Sequence, residues 1–411
     1  MPLNDASPTR RATWSFSGAH RLIFGDNALQ ELPTALRTIR GSRPMIITDG
    51  NLVQAGAMGR LQAALQSAGW DATVFSETEA EPSVGTAERA IAVARASRPD
   101  VIIGLGGGSV IDLAKIVAAL ATYTDMAPKD MFGFHQVPGP TLPIVAIPTT
   151  AGTGSEVSHA GVLTDTENRM KVSSLSPYLR PTVALVDPTL TWTCPEKTTA
   201  ESGIDALVHA IEAYLATDFR QMPIAAGAMA AYEGATPMGD LFAREAIRLI
   251  GRSLVTAVQR PDDQDARSEM ALAATYAGLA FSNCGVAVIH ALEYPLGGAH
   301  LCTHGGGNGL LLPYALRFLA PVRATRIAEV GQWLGATLAT TPTEDAVEET
   351  IAWIEDLKAT IGIPKRIRDL GDCEARLPEF AKKSHAVRRL METTPRPVTE
   401  NDLLQILQSA Y

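Results

Sequence analysis

Between Arg43 and Val186 the chain alternates short, continuously apolar runs with longer stretches whose apolar positions recur at helical spacing. Pro44-Met-Ile-Ile-Thr48, Ala72-Thr-Val-Phe75, Asp100-Val-Ile-Ile-Gly-Leu105, Pro143-Ile-Val-Ala-Ile147 and Val183-Ala-Leu-Val186 read as strands. Residues 54–68, 84–97 and a segment from Val110 to about Ala121 read as helices between them. A strand that is apolar at every position is covered on both faces, which implies a mainly parallel sheet with helices on each side. Ligands of such sheets bind beyond the carboxyl ends of the strands.

The strand pattern stops near Pro195. Segments 197–216, 240–258, 265–282, 304–319, 322–335, 343–360 and 399–409 carry helical periodicity with glycine or proline stops. This predicts an α/β domain over 1–192 and an all-helical domain over 193–411, joined between Pro188 and Pro195. No repeat of 20–50 residues and no low-complexity linker interrupts that division.

Two loops fall at predicted strand ends. Gly104-Leu-Gly-Gly-Gly-Ser109 leads into the helix beginning Val110-Ile-Asp-Leu-Ala-Lys115, where glycines let a ligand approach the backbone and free N–H groups attract phosphate. As a dinucleotide fingerprint it is imperfect, because Ser109 replaces the third glycine and the loop follows a third strand rather than the first. Taken alone it reads first as a tight turn without a ligand. Pro148-Thr-Thr-Ala-Gly-Thr-Gly-Ser-Glu156 adds a second loop dense in hydroxyls and glycines. Two such loops suit the pyrophosphate and ribose of a nicotinamide dinucleotide better than a mononucleotide.

With 411 residues, 46% hydrophobic and 19% charged, the composition is that of a soluble globular protein. A formal net charge of −9 argues against nucleic acid and against an anionic membrane surface. Cys194, Cys284, Cys302 and Cys373 form no C-x-x-C pair, so neither a zinc knuckle nor a disulfide framework is indicated. Without an apolar leader or a membrane-length apolar run, a cytoplasmic location is expected.

Candidate chemistry concentrates between His290 and His304, which holds three of the eight histidines and precedes Gly305-Gly306-Gly307. Upstream, Asp205 and His209 stand four residues apart, on one face if the segment is helical. One carboxylate and several imidazoles suit a borderline divalent metal. Taken separately, each pair reads first as an ordinary helix-surface or helix-end pair.

Gly106-Gly-Gly-Ser-Val-Ile-Asp-Leu-Ala-Lys115, Pro148-Thr-Thr-Ala-Gly-Thr-Gly-Ser-Glu156, Asp205-x3-His209 and His290-x13-His304, in that order, resemble the iron-containing (group III) alcohol dehydrogenases from Gly25 to about Asp369. The resemblance implies a dinucleotide-binding α/β domain, an all-α metal-binding domain, and a site in the cleft between them. It implies Asp205, His209, His290 and His304 as ligands of Fe2+, with Zn2+ the rival that ligand chemistry alone does not exclude. It places the NAD diphosphate on Gly106, Gly107 and Ser109, with Asp112 of the same motif among the cofactor contacts. Thr149, Thr150 and Ser155 fall on the nicotinamide side, Lys171 falls at the ribose, and Asp49 at the adenosine ribose favours NAD over NADP. The implied activity is metal-assisted hydride transfer between NAD(H) and an alcohol, hydroxy acid or matching carbonyl compound, in a homodimer or larger homo-oligomer.

Two features depart from many members. Tyr294 stands where a histidine is common, and a segment from Phe219 to Gly239 precedes the helix expected near Asp240. Both are similar to the hydroxyacid–oxoacid transhydrogenase branch. Tyr294 faces the same side as His290 if the helix continues, whereas Pro295 would move it away by breaking that helix. His300 is assigned a surface or supporting role. A non-redox NAD- and metal-binding enzyme like dehydroquinate synthase is the rival reading; a binding-only protein is a weaker one.

Overall fold

The computed structural model describes residues 11–167, 170–224, 228–299 and 301–411. His300 and residues 225–227 of the 219–239 segment lie outside the described residues.

The strands, in chain order, are β1 (Arg21–Phe24), β2 (Pro44–Ile47), β3 (Thr73–Phe75), β4 (Val101–Gly106), β5 (Gly133–Phe134), β6 (Ile144–Pro148), β7 (Ala160–Asp165), β8 (Met170–Leu175) and β9 (Val183–Val186). Among the described residues, six form a parallel sheet in the order β1-β9-β6-β4-β2-β3. Every residue of β2, β4, β6 and β9 is buried, as their uninterrupted apolar character requires. The expected parallel sheet is therefore present. Its helices include Ala57–Gln66, Val84–Ser97 and Gly108–Thr122; Ser83 starts the second by accepting a hydrogen bond from the Thr86 N–H.

Sequence reasoning did not anticipate β1, β5 or the antiparallel β7–β8 hairpin. β1 is a half-exposed edge strand, and β7 and β8 carry polar residues at positions that face the cleft. The hairpin matters functionally because Lys171 and Ser173 lie on it.

After β9 the described residues form helices: Glu196–Leu215, Pro237–Gln259, Gln264–Cys284, Val288–Gly298, His304–Leu334, Thr343–Thr360, Leu377–His385, Arg388–Thr393 and Glu400–Ala410. The two helices expected over 304–335 are one, kinked at Arg323 (φ −133°, ψ 17°) just after Pro321, whose missing N–H interrupts the ladder. Pro295 does not break its helix. All eleven residues from Val288 to Gly298 are buried, and that packing outweighs the single backbone bond that proline removes.

No single helix among the described residues is long and apolar enough to cross a membrane. The apolar helices Gln264–Cys284 and Val288–Gly298 meet at 105° and lie in the core.

Candidate metal and dinucleotide site

Three helices bring Asp205, His209, His290 and His304 together. Asp205 and His209 sit one turn apart on Glu196–Leu215, His290 near the start of Val288–Gly298, and His304 at the first position of His304–Leu334. One donor atom from each lies within 4.8 Å of the other three. The glycines after His304 allow this approach. A Cβ at Gly305 would collide with the Glu201 carbonyl, and one at Gly307 would meet Glu293 Cγ at 2.9 Å. The run therefore serves close packing of the His304 helix against its neighbours.

Two buried carboxylates orient the imidazoles. Glu212 Oε2 lies 2.5 Å from His290 Nδ1, and Glu293 Oε2 lies 2.5 Å from His304 Nδ1. With Nδ1 donating its proton to a carboxylate, each ring presents the Nε2 lone pair to the cluster. Asn308 Nδ2 stands among them, 2.8 Å from Asp205 Oδ1, 3.2 Å from His290 Nε2 and 3.3 Å from His304 Nε2. Phe281 stacks on His209 at 4.2 Å and closes that side with apolar surface.

The electrostatics favour a cation. Burial drives the His209 imidazole down to about 3 against the opposing pull of Asp205, so it is neutral at ordinary pH. Burial also lowers His304, but Glu293 and Asp205 outweigh it and hold that imidazole up at about 9, so the same carboxylates that retain a proton on its Nε2 would favour a divalent ion in that proton's place. Burial raises Asp205 and Glu293, yet neighbouring imidazoles, joined for Glu293 by Lys171, bring both below the usual carboxylate range. His209 Nδ1 is buried without a hydrogen-bond partner, 3.8 Å from Asp205 Oδ2. A buried, unpartnered lone pair facing a carboxylate and two oriented Nε2 atoms fits a divalent ion, to which neutral imidazoles are the ligands.

This cluster lines a cavity of about 170 Å³, and so do Gly108, Ser109, Asp112, Ser155 and Lys171. Tyr294 lines it too, its ring centre 6.4 Å from that of His304. Tyr294 and His290 thus share the cleft side of their helix. Asp49, Gly106, Gly107, Thr149 and Thr150 do not line the cavity; they lie at the carboxyl ends of β2, β4 and β6.

Several of these residues have structural duties. Asp49 caps the Gly50–Gln54 helix, its Oδ1 accepting from the N–H groups of Asn51 and Leu52. A Cβ at Gly106 would lie 2.5 Å from Val110 Cγ2, so this glycine lets helix and strand pack, whereas Gly107 has ordinary space beside Thr150. Thr149 N–H donates to the Gly106 carbonyl. Ser109 Oγ donates to the Ala80 carbonyl at 2.5 Å. Ser155 Oγ donates to Asp112 Oδ1 at 2.5 Å, and Asp112 Oδ2 accepts from the Val162 N–H. The ammonium of wholly buried Lys115 donates to Ser155 Oγ (2.7 Å), Ser158 Oγ (3.0 Å) and the Ala160 carbonyl (2.6 Å), tying the second loop and β7 to the helix after the glycines. Lys171 Nζ lies 3.1 Å from Glu81 Oε1 and 3.5 Å from Glu293 Oε1; burial opposes its charge, but these two carboxylates raise its pKa.

Sequence reasoning missed Glu212, Glu293, Asn308, Phe281 and Lys115. A signal existed for the two acids: each follows a ligand histidine by three residues and sits in an otherwise apolar helical stretch, where a lone carboxylate requires a partner. Glu293→Gln and Glu212→Gln, separately, are each expected to weaken metal binding about 10–100-fold with the fold intact by circular dichroism. Metal affinities equal to wild type would show that these acids do not support the histidines.

The comparisons with known proteins agree over nearly the whole chain. Residues 19–188 match the family model for iron-containing alcohol dehydrogenase, and residues 199–411 match the C-terminal model of the Fe-containing alcohol dehydrogenase family. The chain is 36% identical over 399 residues to long-chain-alcohol dehydrogenase 1 of Geobacillus thermodenitrificans, covering 95% of this chain and 96% of that one. It is 32% identical over 388 residues to NAD-dependent methanol dehydrogenase of Bacillus methanolicus, with 94% and 97% covered. The bovine mitochondrial hydroxyacid-oxoacid transhydrogenase is 28% identical over 430 residues, with 98% and 92% covered. A crystal structure of 1,3-propanediol oxidoreductase superposes with a TM-score of 0.90 at 32% identity, covering 97% of this chain and all of that one. Matched through both halves and over almost its full length, the chain is an oxidoreductase of the iron-containing alcohol dehydrogenase family.

Proposed function

We propose that the cleft transfers hydride between a small alcohol or hydroxy acid and NAD(H), with one Fe2+ held by Asp205, His209, His290 and His304. The observation that carries this reading is that four oriented donors and the two hydroxyl- and glycine-rich loops open onto one cavity. When bound, the ion supplies Lewis acidity towards an alcohol or carbonyl oxygen, and the nicotinamide accepts or returns the hydride. The chain's own residues do the rest. Glu212 and Glu293 keep the His290 and His304 rings in one tautomer and orientation. Phe281 keeps water from the His209 side. Lys115 holds Ser155 and Asp112 so that the second loop presents a fixed surface to the nicotinamide end. Lys171, kept charged by Glu81 and Glu293, would hold a ribose hydroxyl of the cofactor with its ammonium.

NADH absorbance during incubation with a panel of alcohols and hydroxy acids tests the reading. Turnover is expected; no net NADH with any of them would favour a non-redox enzyme on the same scaffold. NAD is expected to be preferred to NADP, because the Asp49 carboxylate at the end of β2 repels a 2′-phosphate. Asp49→Gly should weaken that preference, and a wild-type preference for NADP would refute the assignment.

Tyr294 is assigned a positioning role, its hydroxyl hydrogen-bonding substrate while water carries the proton outward. Tyr294→Phe should therefore lower kcat/KM by the worth of one hydrogen bond, about 0.5–1.5 kcal/mol, with the pH–rate profile unchanged in shape. Loss of several orders of magnitude together with a vanished titration limb would make it the proton relay instead.

The chain is further proposed to divide at 1–192 and 193–411, to act as a homodimer or larger homo-oligomer, and to work in the cytoplasm.

A further inference from the structure

Lys171 stands between the two halves of the cleft. It lies on β8 with its side chain 5% exposed, its Nζ 3.1 Å from Glu81 Oε1 and 3.5 Å from Glu293 Oε1. Glu81 belongs to the α/β side, in the loop before the helix Val84–Ser97, and it lines the cavity with Lys171. A hydrogen bond from the Thr164 N–H to the Pro82 carbonyl (2.8 Å) fastens that loop to the hairpin. Glu293 belongs to the helical side and is wholly buried, with Oε2 held by His304 Nδ1. One ammonium is therefore shared between a carboxylate at the cavity and a carboxylate that orients a prospective metal ligand.

The sharing is unequal. Glu293 Oε1 is buried without a hydrogen-bond partner, because 3.5 Å from Lys171 is an ion-pair distance and longer than a good N–H···O bond. Such an oxygen is costly to leave unmet, so it draws any donor able to reach it. Gly297, one turn after Glu293 on the same helix, keeps the space between them open. A Cβ there would collide with Glu293 Oε1 and lie 3.2 Å from Lys171 Nζ. The position of the ammonium then sets how much carboxylate charge His304 receives. Close to Glu293, it offsets the charge that holds the Nδ1 proton. Drawn away, it leaves Glu293 to His304 alone, and an imidazole backed by a full carboxylate charge is the stronger ligand through Nε2.

We infer that Lys171 couples dinucleotide binding to metal binding: drawn to a dinucleotide in the cavity, its ammonium withdraws from Glu293 and the metal site tightens. Dinucleotide hydroxyl and phosphate oxygens are the acceptors that compete with Glu293 for it. The coupling is reciprocal, so a metal ion at Asp205, His209, His290 and His304 strengthens dinucleotide binding by the same factor. The inference rests on the reading of the cleft as a metal and dinucleotide site and adds the link between the two occupancies. No bond is made or broken at Lys171, which is a positioning residue acting through Glu293 and His304.

The test titrates the metal-free full-length protein with Zn2+, a redox-inert probe of the site, by calorimetry with and without saturating NAD. Wild type should bind Zn2+ about five-fold or more tightly when NAD is present, and NAD should gain the same factor from Zn2+. Lys171→Met should weaken NAD binding, bind Zn2+ alone no less tightly than wild type, and bring that factor close to one. Glu81→Gln should move the factor the other way, at a side chain that is 38% exposed and puts the fold at little risk. Without that carboxylate the ammonium rests on Glu293 until NAD arrives, so Zn2+ alone binds more weakly and the factor grows. A lysine that only held a ribose would lower NAD affinity when replaced and leave the factor as it was. Equal Zn2+ affinities in wild type with and without NAD, a factor unmoved in Lys171→Met, or one that shrinks in Glu81→Gln would overturn the inference while both sites stand. A wild type that binds no NAD, or no Zn2+, would remove the reading of the cleft and the inference with it.

Discussion

His304→Ala is expected to lose bound metal and turnover together. His304 is the only cluster member that begins a helix, and it is held there by the 2.5 Å contact between its Nδ1 and Glu293. Removing the ring deletes a donor from a four-donor set and leaves Glu293 Oε2 without its imidazole, while Lys171 stays 3.5 Å from the other oxygen, Oε1. The residual site has one carboxylate and two imidazoles, and the ion becomes far easier to remove. Turnover is expected to fall by about a thousand-fold or more, equivalent to about 4 kcal/mol of lost transition-state stabilisation. Elemental analysis of the purified variant should show the metal depleted in step with activity. Full metal content with wild-type turnover would show that His304 is not a ligand and would remove the basis of the proposed chemistry.

What the sequence disclosed follows from the range of each interaction. Strands buried on both faces announce themselves through local composition, so β2, β4, β6 and β9 were readable; β3, a partly exposed edge, was read from its short β-branched and aromatic run. β1 and the β7–β8 hairpin were not, because a half-exposed edge and a strand carrying Lys171, Ser173 and Ser174 look like loops until the cleft they face is known. The four prospective ligands were readable as a set only through the resemblance; by spacing, Asp205 and His209 are an ordinary pair. Glu212 and Glu293 were hidden for a different reason. Nothing in a single helix tells which buried acid will meet an imidazole arriving from another helix. Arg389, whose guanidinium donates to the cavity residues Tyr294 and Ser173, is the extreme case: those contacts span 95 and 216 positions. Pro295 taught the opposite lesson, since a strong local signal yielded to the burial of a whole helix.

The glycines of the second loop illustrate the same limit and carry the other large prediction. Their density suggested backbone donors for a cofactor, yet Gly154 does something else. It holds φ +59°, and a Cβ placed there would lie 2.4 Å from Gly278 Cα in the middle of Gln264–Cys284. The contact is reciprocal: a Cβ at Gly278 would lie 2.7 Å from Gly154 Cα and 2.7 Å from Val157 Cγ2. Loop backbone and helix backbone therefore touch directly, and Ser155, which is tied to Asp112 and Lys115, is the next residue along. Within an exposed helix Gly→Ala normally stabilises by about 1 kcal/mol. Here the new methyl has nowhere to go, since its neighbours are main chain and a buried valine, and overpacking of this kind costs about 1–3 kcal/mol. Gly278→Ala should therefore destabilise the fold by about 1–2 kcal/mol net in urea unfolding, the reverse of the propensity effect. Relief of the clash requires the loop to withdraw, which carries Ser155 away from the cavity and should raise KM for NAD several-fold while the bound metal content stays that of wild type. A Gly278→Ala enzyme that is more stable than wild type and binds NAD equally well would show that the two backbones are not in contact, and that the loop owes its position to the Lys115 network alone.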